Sequence, residues 1–146
     1  CDTYDVIRLL EDENVNLHAK CKKINNLIFC GIGYSLITPF NTPLELTEEE
    51  ISNILKNFEK CDVLISHTPP YLACDKTSSQ KNVGSKEIRK FIEEKNVKLV
   101  ICGHIHEAYG IEKVKECLVV NVAAFKNGRY GIININEKIE AKICSI

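Results

Sequence analysis

Methionine is missing altogether from a chain that begins with Cys1, so the sequence is expected to be a product from which something upstream has been removed. Long apolar runs are missing as well. No stretch approaches the roughly 18 to 20 consecutive apolar residues of a membrane span, and no charged-then-apolar leader opens the chain. The expectation is a soluble, unexported protein with no membrane partner. An excess of either charge is also lacking: 19 Lys and Arg stand against 20 Asp and Glu, a formal net charge of −1. With the basic residues spread along the chain there is no field of the kind that duplex nucleic acid demands. Cysteine is plentiful but CxxC is absent. Cys1, Cys21, Cys30, Cys61, Cys74, Cys102, Cys117 and Cys144 show no close pairing, and several lie in aliphatic runs such as NLIFCGIG and KLVICGH, where a thiol acts as a small hydrophobe. Reduced thiols in a cytoplasmic protein are therefore expected, in preference to a disulfide framework.

What is present suits one core. The 146 residues are 45% hydrophobic, enough for a single domain spanning 1–146, and there is no internal repeat or low-complexity linker. Residues 3–13 have the spacing of a short amphipathic helix. Residues 15–24 and 26–35 predict two strands joined by a tight hairpin at Asn25-Asn26, and the two prolines of 37–46 predict a connecting loop. In 46–60, Thr47 followed by Glu50 has the capping-box pattern, with Ile51, Ile54, Leu55 and Phe58 on one face of the helix.

A short buried strand at 61–67, a loop over 68–84, a helix over 86–96 capped by Ser85 and a second buried strand at 97–102 make a βαβ unit. Its strands should be parallel, with a right-handed crossover. Residues 117–125, 128–136 and 138–146 predict antiparallel strands, the last two joined through Asn136–Lys138. The fold class expected is α/β, a mixed sheet with a central βαβ unit.

Ligands gather at the carboxyl ends of parallel strands. His67 ends the first strand of the βαβ unit, and His104 and His106 follow the second, so three of the four histidines converge on one rim. Neutral imidazoles suit zinc, iron, manganese and nickel ions, and residues i and i+2 of an extended backbone project to one side. Gly103 would ease a sharp turn just before them. Two ions roughly 3.5 to 4 Å apart would make a dinuclear hydrolytic site; the competing assignment is capping or hydrogen-bonding histidines. His18 is either structural or reaches the substrate. The 68–84 loop, with Tyr71, Asp75 and Lys76, is either a substrate wall or a flexible surface. Ser85 and its helix either bind an anion or only form a cap. Residues 20–23, KCKK, read as a solvated strand edge.

GHIH at 103–106, SHTPP at 66–70 and the opening Cys1-Asp2 resemble, in reverse chain order, the last three sequence blocks of the calcineurin-like metallophosphoesterases: GNH(D/E), an isolated histidine, and GHxH. The likeness extends through VGSKEIRKFIEE and GHIHEAYG to VVNVAAF. It implies part of a four-layer αββα sandwich with two divalent ions (Mn, Fe, Ni or Zn). His67 and His104 would be ligands of one ion, which makes His104 essential to catalysis, and His106 a ligand of the other. Asp2 would be the orienting acid, and Cys1 stands where a histidine often serves as general acid. The implied substrate is a small phosphate ester, with nucleotides among the candidates.

The family's DxH, GD and Gly-Asn have no counterpart here, so the domain is expected to lack its amino-terminal part and the segment alone to bind metal weakly. A thiol at Cys1 is a poor acid unless its pKa is tuned, which favours phosphodiesters slightly. NVAA at 121–124 stands where relatives tend to have Asn-Pro-Gly, which would loosen the local backbone. Two other classes are kept: a non-catalytic, regulatory metal-binding module, and a thiol-redox protein, against which the cysteine spacing argues.

Overall fold

A computed structural model describes residues 4–146. Helix α1 (Tyr4–Asp12) is followed by β1 (Cys21–Ile24), β2 (Leu27–Ile32), the short β3 (Ser35–Leu36) and β4 (Glu45–Leu46), α2 (Glu48–Lys56), β5 (Val63–Ser66), α3 (Lys86–Glu94), β6 (Leu99–Cys102), β7 (Gly110–Val114), β8 (Cys117–Asn121), β9 (Arg129–Ile135) and β10 (Ile139–Ser145). Six strands form one sheet in the order β1-β2-β5-β6-β8-β7. β2, β5, β6 and β8 run parallel, and the edges β1 and β7 are antiparallel to their neighbours. This is the mixed α/β sheet with a βαβ centre that the sequence pattern predicts.

Alternation along the central strands divides the apolar side chains between two faces. Leu64, Val100 and Val119 face α2 and α3, and pack with Ile51, Leu55, Phe58, Ile88, Phe91 and Ile92. Val63, Leu99 and Val120 face the other way, onto Ile133, Ile135, Ile139, Ala141 and Ile143 of the β9–β10 hairpin. The described residues thus form a helix layer, a six-stranded sheet and a two-stranded sheet, the α, β and β layers of an αββα sandwich. Phe58 meets Phe91 edge to face at 6.2 Å, a geometry that adds about 0.5–1.5 kcal/mol to simple burial. Helix α2 carries the full capping box between Thr47 and Glu50.

At the amino ends of the parallel strands, Asp62 ties three segments together. Its carboxylate accepts the Ile28 N–H at 2.9 Å and pairs with Lys98 at 3.2 Å. Burial alone would raise its pKa, but the Ile28 N–H and Lys98 outweigh that and hold it below the ordinary value.

Several expectations are corrected. Cys21 and Cys30 are not unpaired thiols but a disulfide. The two-residue turn between Ile24 and Leu27 sets the register so that Cys21 faces Cys30, a proximity that linear spacing conceals. The strand expected from residue 15 begins only at Cys21, because Ala19 adopts φ 55 and breaks the ladder. β7 was not anticipated, since GIEKV carries two charges. It captures β8 as its antiparallel partner, while β8 runs parallel to β6 and not antiparallel to the strand that follows. Helix α1 has the expected position but buries no residue. Among the described residues no helix is long and apolar enough to cross a membrane.

Candidate metal centre

The carboxyl ends of the parallel strands form a continuous rim. The His67 N–H donates to the Ile32 carbonyl at 2.9 Å, and the His67 carbonyl accepts from Gly103 N–H at 3.2 Å. Backbone hydrogen bonds therefore link the end of β2 through His67 to the loop after β6. Across this rim His67 Nε2 and His104 Nδ1 are 3.1 Å apart, with the rings tilted by 59°. Burial, and then the neighbouring His106, lower the His104 pKa, against an opposing pull from Glu45. His104 is thus biased toward the neutral imidazole, whose lone pair is what a metal ion needs.

The loop achieves this without extended backbone. His104 has φ 64, and the Ile105 N–H donates to the Gly103 carbonyl across it at 2.7 Å, which makes a γ-turn centred on a non-glycine residue. Such strain costs on the order of 1–3 kcal/mol and persists only where surroundings impose it. The expectation that residues 104 and 106 project together from an extended segment is corrected accordingly. Gly103 is also not the steric hinge, since a Cβ there would meet nothing within 4 Å. His106 begins a short 3-10 turn, His106–Ala108, and is exposed.

Asn121 holds the turn in place, a role that nothing in the sequence signals beyond its position at a strand end. It is fully buried. Its Nδ2 donates to Ile105 O at 2.9 Å and to Cys74 O at 3.1 Å, and its Oδ1 accepts from Ala123 N at 3.0 Å. Ala123 adopts φ 63, so the turn anticipated to loosen in NVAA is kept in the left-handed region by Asn121. Glu45 was also missed. The Thr38 and Thr42 hydroxyls each donate to it at 2.6 Å and depress its pKa to about 2, fixing a negative charge whose field reaches His104.

The 68–84 loop is stapled down. Asp75, 2% exposed, accepts the N–H groups of Leu72 and Gly84 at 3.1 and 2.9 Å. Gly84 lies so close to Pro69 and Pro70 that a Cβ would sit 2.7 Å from their backbone. Farther along, Ser78 N donates to Glu107 at 3.1 Å, which docks the loop beside His106. Asp75 is consequently a framework residue. Ser85 caps α3, accepting from Ile88 N, and the carboxylate of Glu48 takes its hydroxyl at 2.6 Å and Lys86 N at 2.7 Å. The anion at that helix start is therefore Glu48.

Burial raises the thiols of Cys61 and Cys117 to about 12 and Cys74 to about 11, values unsuited to thiolate chemistry. Cys1 and Asp2 lie outside the described residues. Among the described residues no three His, Cys, Asp or Glu groups gather closely enough to hold a metal ion; what the fold brings together is the His67–His104 pair.

A metallophosphoesterase model of the calcineurin superfamily matches residues 28–143. An uncharacterized protein of Methanocaldococcus jannaschii is 47% identical over 130 residues, 83% of this chain and 59% of that protein. The chain thus spans somewhat over half the length of this relative. One crystal structure superposes with a TM-score of 0.70 at 25% identity, covering 88% of this chain and 53% of the other. TT1561 of Thermus thermophilus gives 0.61 at 17% identity, over 97% and 63%, a likeness of fold.

Proposed function

Because the chain belongs to the metallophosphoesterases of the calcineurin superfamily, we propose that it forms the carboxyl-terminal portion of a divalent-metal-dependent hydrolase of phosphate esters. The observation that carries this is the approach of His67 Nε2 and His104 Nδ1 to 3.1 Å at the carboxyl rim. Two converging imidazole nitrogens fit part of the donor set of one divalent ion. His67 and His104 would hold that ion and His106 the second. Asp2 would orient the site, and Cys1 would lie toward the leaving group. The oxygen ligands that hard ions require would come from outside these 146 residues.

When bound, the ions supply an activated water and stabilise charge on the phosphoryl oxygens. The chain's own part is positional. The γ-turn at His104 aims its Nδ1, Asn121 holds the turn through Ile105 O, and burial favours the neutral imidazole. With a thiol in place of an acidic histidine, esters with good leaving groups are favoured, and diesters over monoesters.

The test is hydrolysis of bis(p-nitrophenyl) phosphate and p-nitrophenyl phosphate by the full-length protein with Mn²⁺. Turnover should favour the diester, stop on chelation and fall at least ~10²-fold in His104→Ala, as loss of several kcal/mol of Lewis-acid stabilisation demands. Metal binding without turnover would instead assign the fold to a non-catalytic module.

A further inference from the structure

His18 has no part in that metal pair, yet the fold constrains it from several sides. The segment before β1 folds against the end of β2. Ala19 N donates to Gly31 O at 2.9 Å, Gly31 N donates to Lys20 O at 3.1 Å, and Asn16 Oδ1 accepts the His18 N–H at 2.9 Å. Two residues thereby oppose one, a β-bulge, with Ala19 in the left-handed region at φ 55. The approach is so close that a Cβ on Gly31 would lie 2.7 Å from Leu17. The Cys21–Cys30 disulfide closes the same ladder one residue farther on. Strained, covalently pinned backbone of this kind is a reason to ask what it presents.

It presents a flat ring. The imidazole stacks on Tyr34 with centroids 3.8 Å apart and planes within 15°, and Tyr34 rests on the core. Nδ1 accepts the Gly33 N–H at 3.1 Å, so in the neutral ring the proton resides on Nε2. Burial and Lys20 favour that neutral form. Nε2 has no partner among the described residues. Gly33 directly follows Ile32, whose carbonyl receives the His67 N–H at 2.9 Å. His18 and His67 therefore flank the same two residues at the end of β2, one bonded to Gly33 N and the other to Ile32 O. A phosphoryl group held at His67 would have its organic substituent free to extend toward His18.

We propose that the His18–Tyr34 stack is a recognition shelf for a planar heteroaromatic group of the substrate, such as a nucleobase, which stacks on the imidazole face, while the Nε2–H, lying in the ring plane, donates to an oxygen elsewhere on the substrate. This rests on the hydrolase reading for its substrate and deepens it by naming the chemical class.

The experiment compares thymidine 5′-(p-nitrophenyl phosphate) with methyl p-nitrophenyl phosphate in the full-length protein; both release p-nitrophenolate, and only one carries a base. His18→Ala should raise KM for the nucleoside ester about tenfold, the scale of one lost stacking contact, with kcat and the methyl ester unchanged. His18→Phe, which keeps a ring and loses the donor, should fall between. Equal losses on both esters, or no change on either, overturn the shelf. A separate titration with thymidine 5′-monophosphate, read from the His18 ring signals by NMR, decides the matter even if hydrolysis is not the activity. Shifts at His18 support the shelf and their absence refutes it, whereas metal binding without turnover of either ester in the unsubstituted protein would refute the hydrolase reading alone.

Discussion

The two ends of the parallel strands are built on opposite terms. At the amino ends Asp62 is buried, hydrogen-bonded to Ile28 N–H and paired with Lys98. The left-handed residues nearby, Asn25, Asn96 and Lys115, sit in tight turns, two of them asparagines that tolerate the conformation. At the carboxyl ends, His104, Ala123, Leu72 and Cys74 all have positive φ, none of them a glycine or asparagine. Their loops are held by buried polar anchors, Asn121 and Asp75. One rim secures the sheet through a buried carboxylate that joins three segments. The other holds its left-handed residues in longer loops, and there His67 and His104 meet.

If that contrast is right, mutations at the two rims should separate stability from activity. The largest effect on stability is expected from Asn121→Ala. Leaving the Ile105 and Cys74 carbonyls and the Ala123 N–H without their partner should cost about 2–3 kcal/mol, seen as a lower urea midpoint, and hydrolysis should fall more than tenfold at temperatures where the fold persists. Asp62→Ala should cost about 2 kcal/mol and leave kcat unchanged; loss of activity in the folded variant would break the comparison.

The Asp62 carboxyl also makes a pH prediction. Its pKa is depressed on folding, so its stabilisation is present above the ordinary carboxylate range and lost as pH falls through the lowered value. Asp62→Asn should flatten the acid limb of stability measured by urea unfolding. Smallest is Ala123→Gly, which removes left-handed strain of about 1–2 kcal/mol while adding unfolded-state entropy of about 0.4–1 kcal/mol. A net gain of roughly 0–1.6 kcal/mol in thermal unfolding is expected from those two terms, and destabilisation would show that Ala123 is not strained.

Much of the architecture was legible because it depends on local pattern. The run GRYGIININ marks β9, Thr47 and Glu50 mark the start of α2, and the aliphatic runs ending at Ser66 and Cys102 place His67 and the GHIH loop on one rim. The rest depends on partners distant in sequence. β7 is a strand because β8 offers it an edge, and the cysteines at 21 and 30 meet because a two-residue turn sets the register. Asn121 and Glu45 matter through hydrogen bonds to residues that no spacing rule connects to them. The i, i+2 spacing misplaces His104 and His106 for a physical reason: the backbone turns at His104 itself and does not run extended.

The central claim is that His67 and His104 share one ion. The most direct measurement is paramagnetic broadening of histidine ring signals in the full-length protein during titration with Mn²⁺. The rings of His67 and His104 should broaden together at substoichiometric metal, and that of His18, farther along the rim, should broaden less. Broadening that spares both, or that survives unchanged at His67 in His104→Ala, would contradict it.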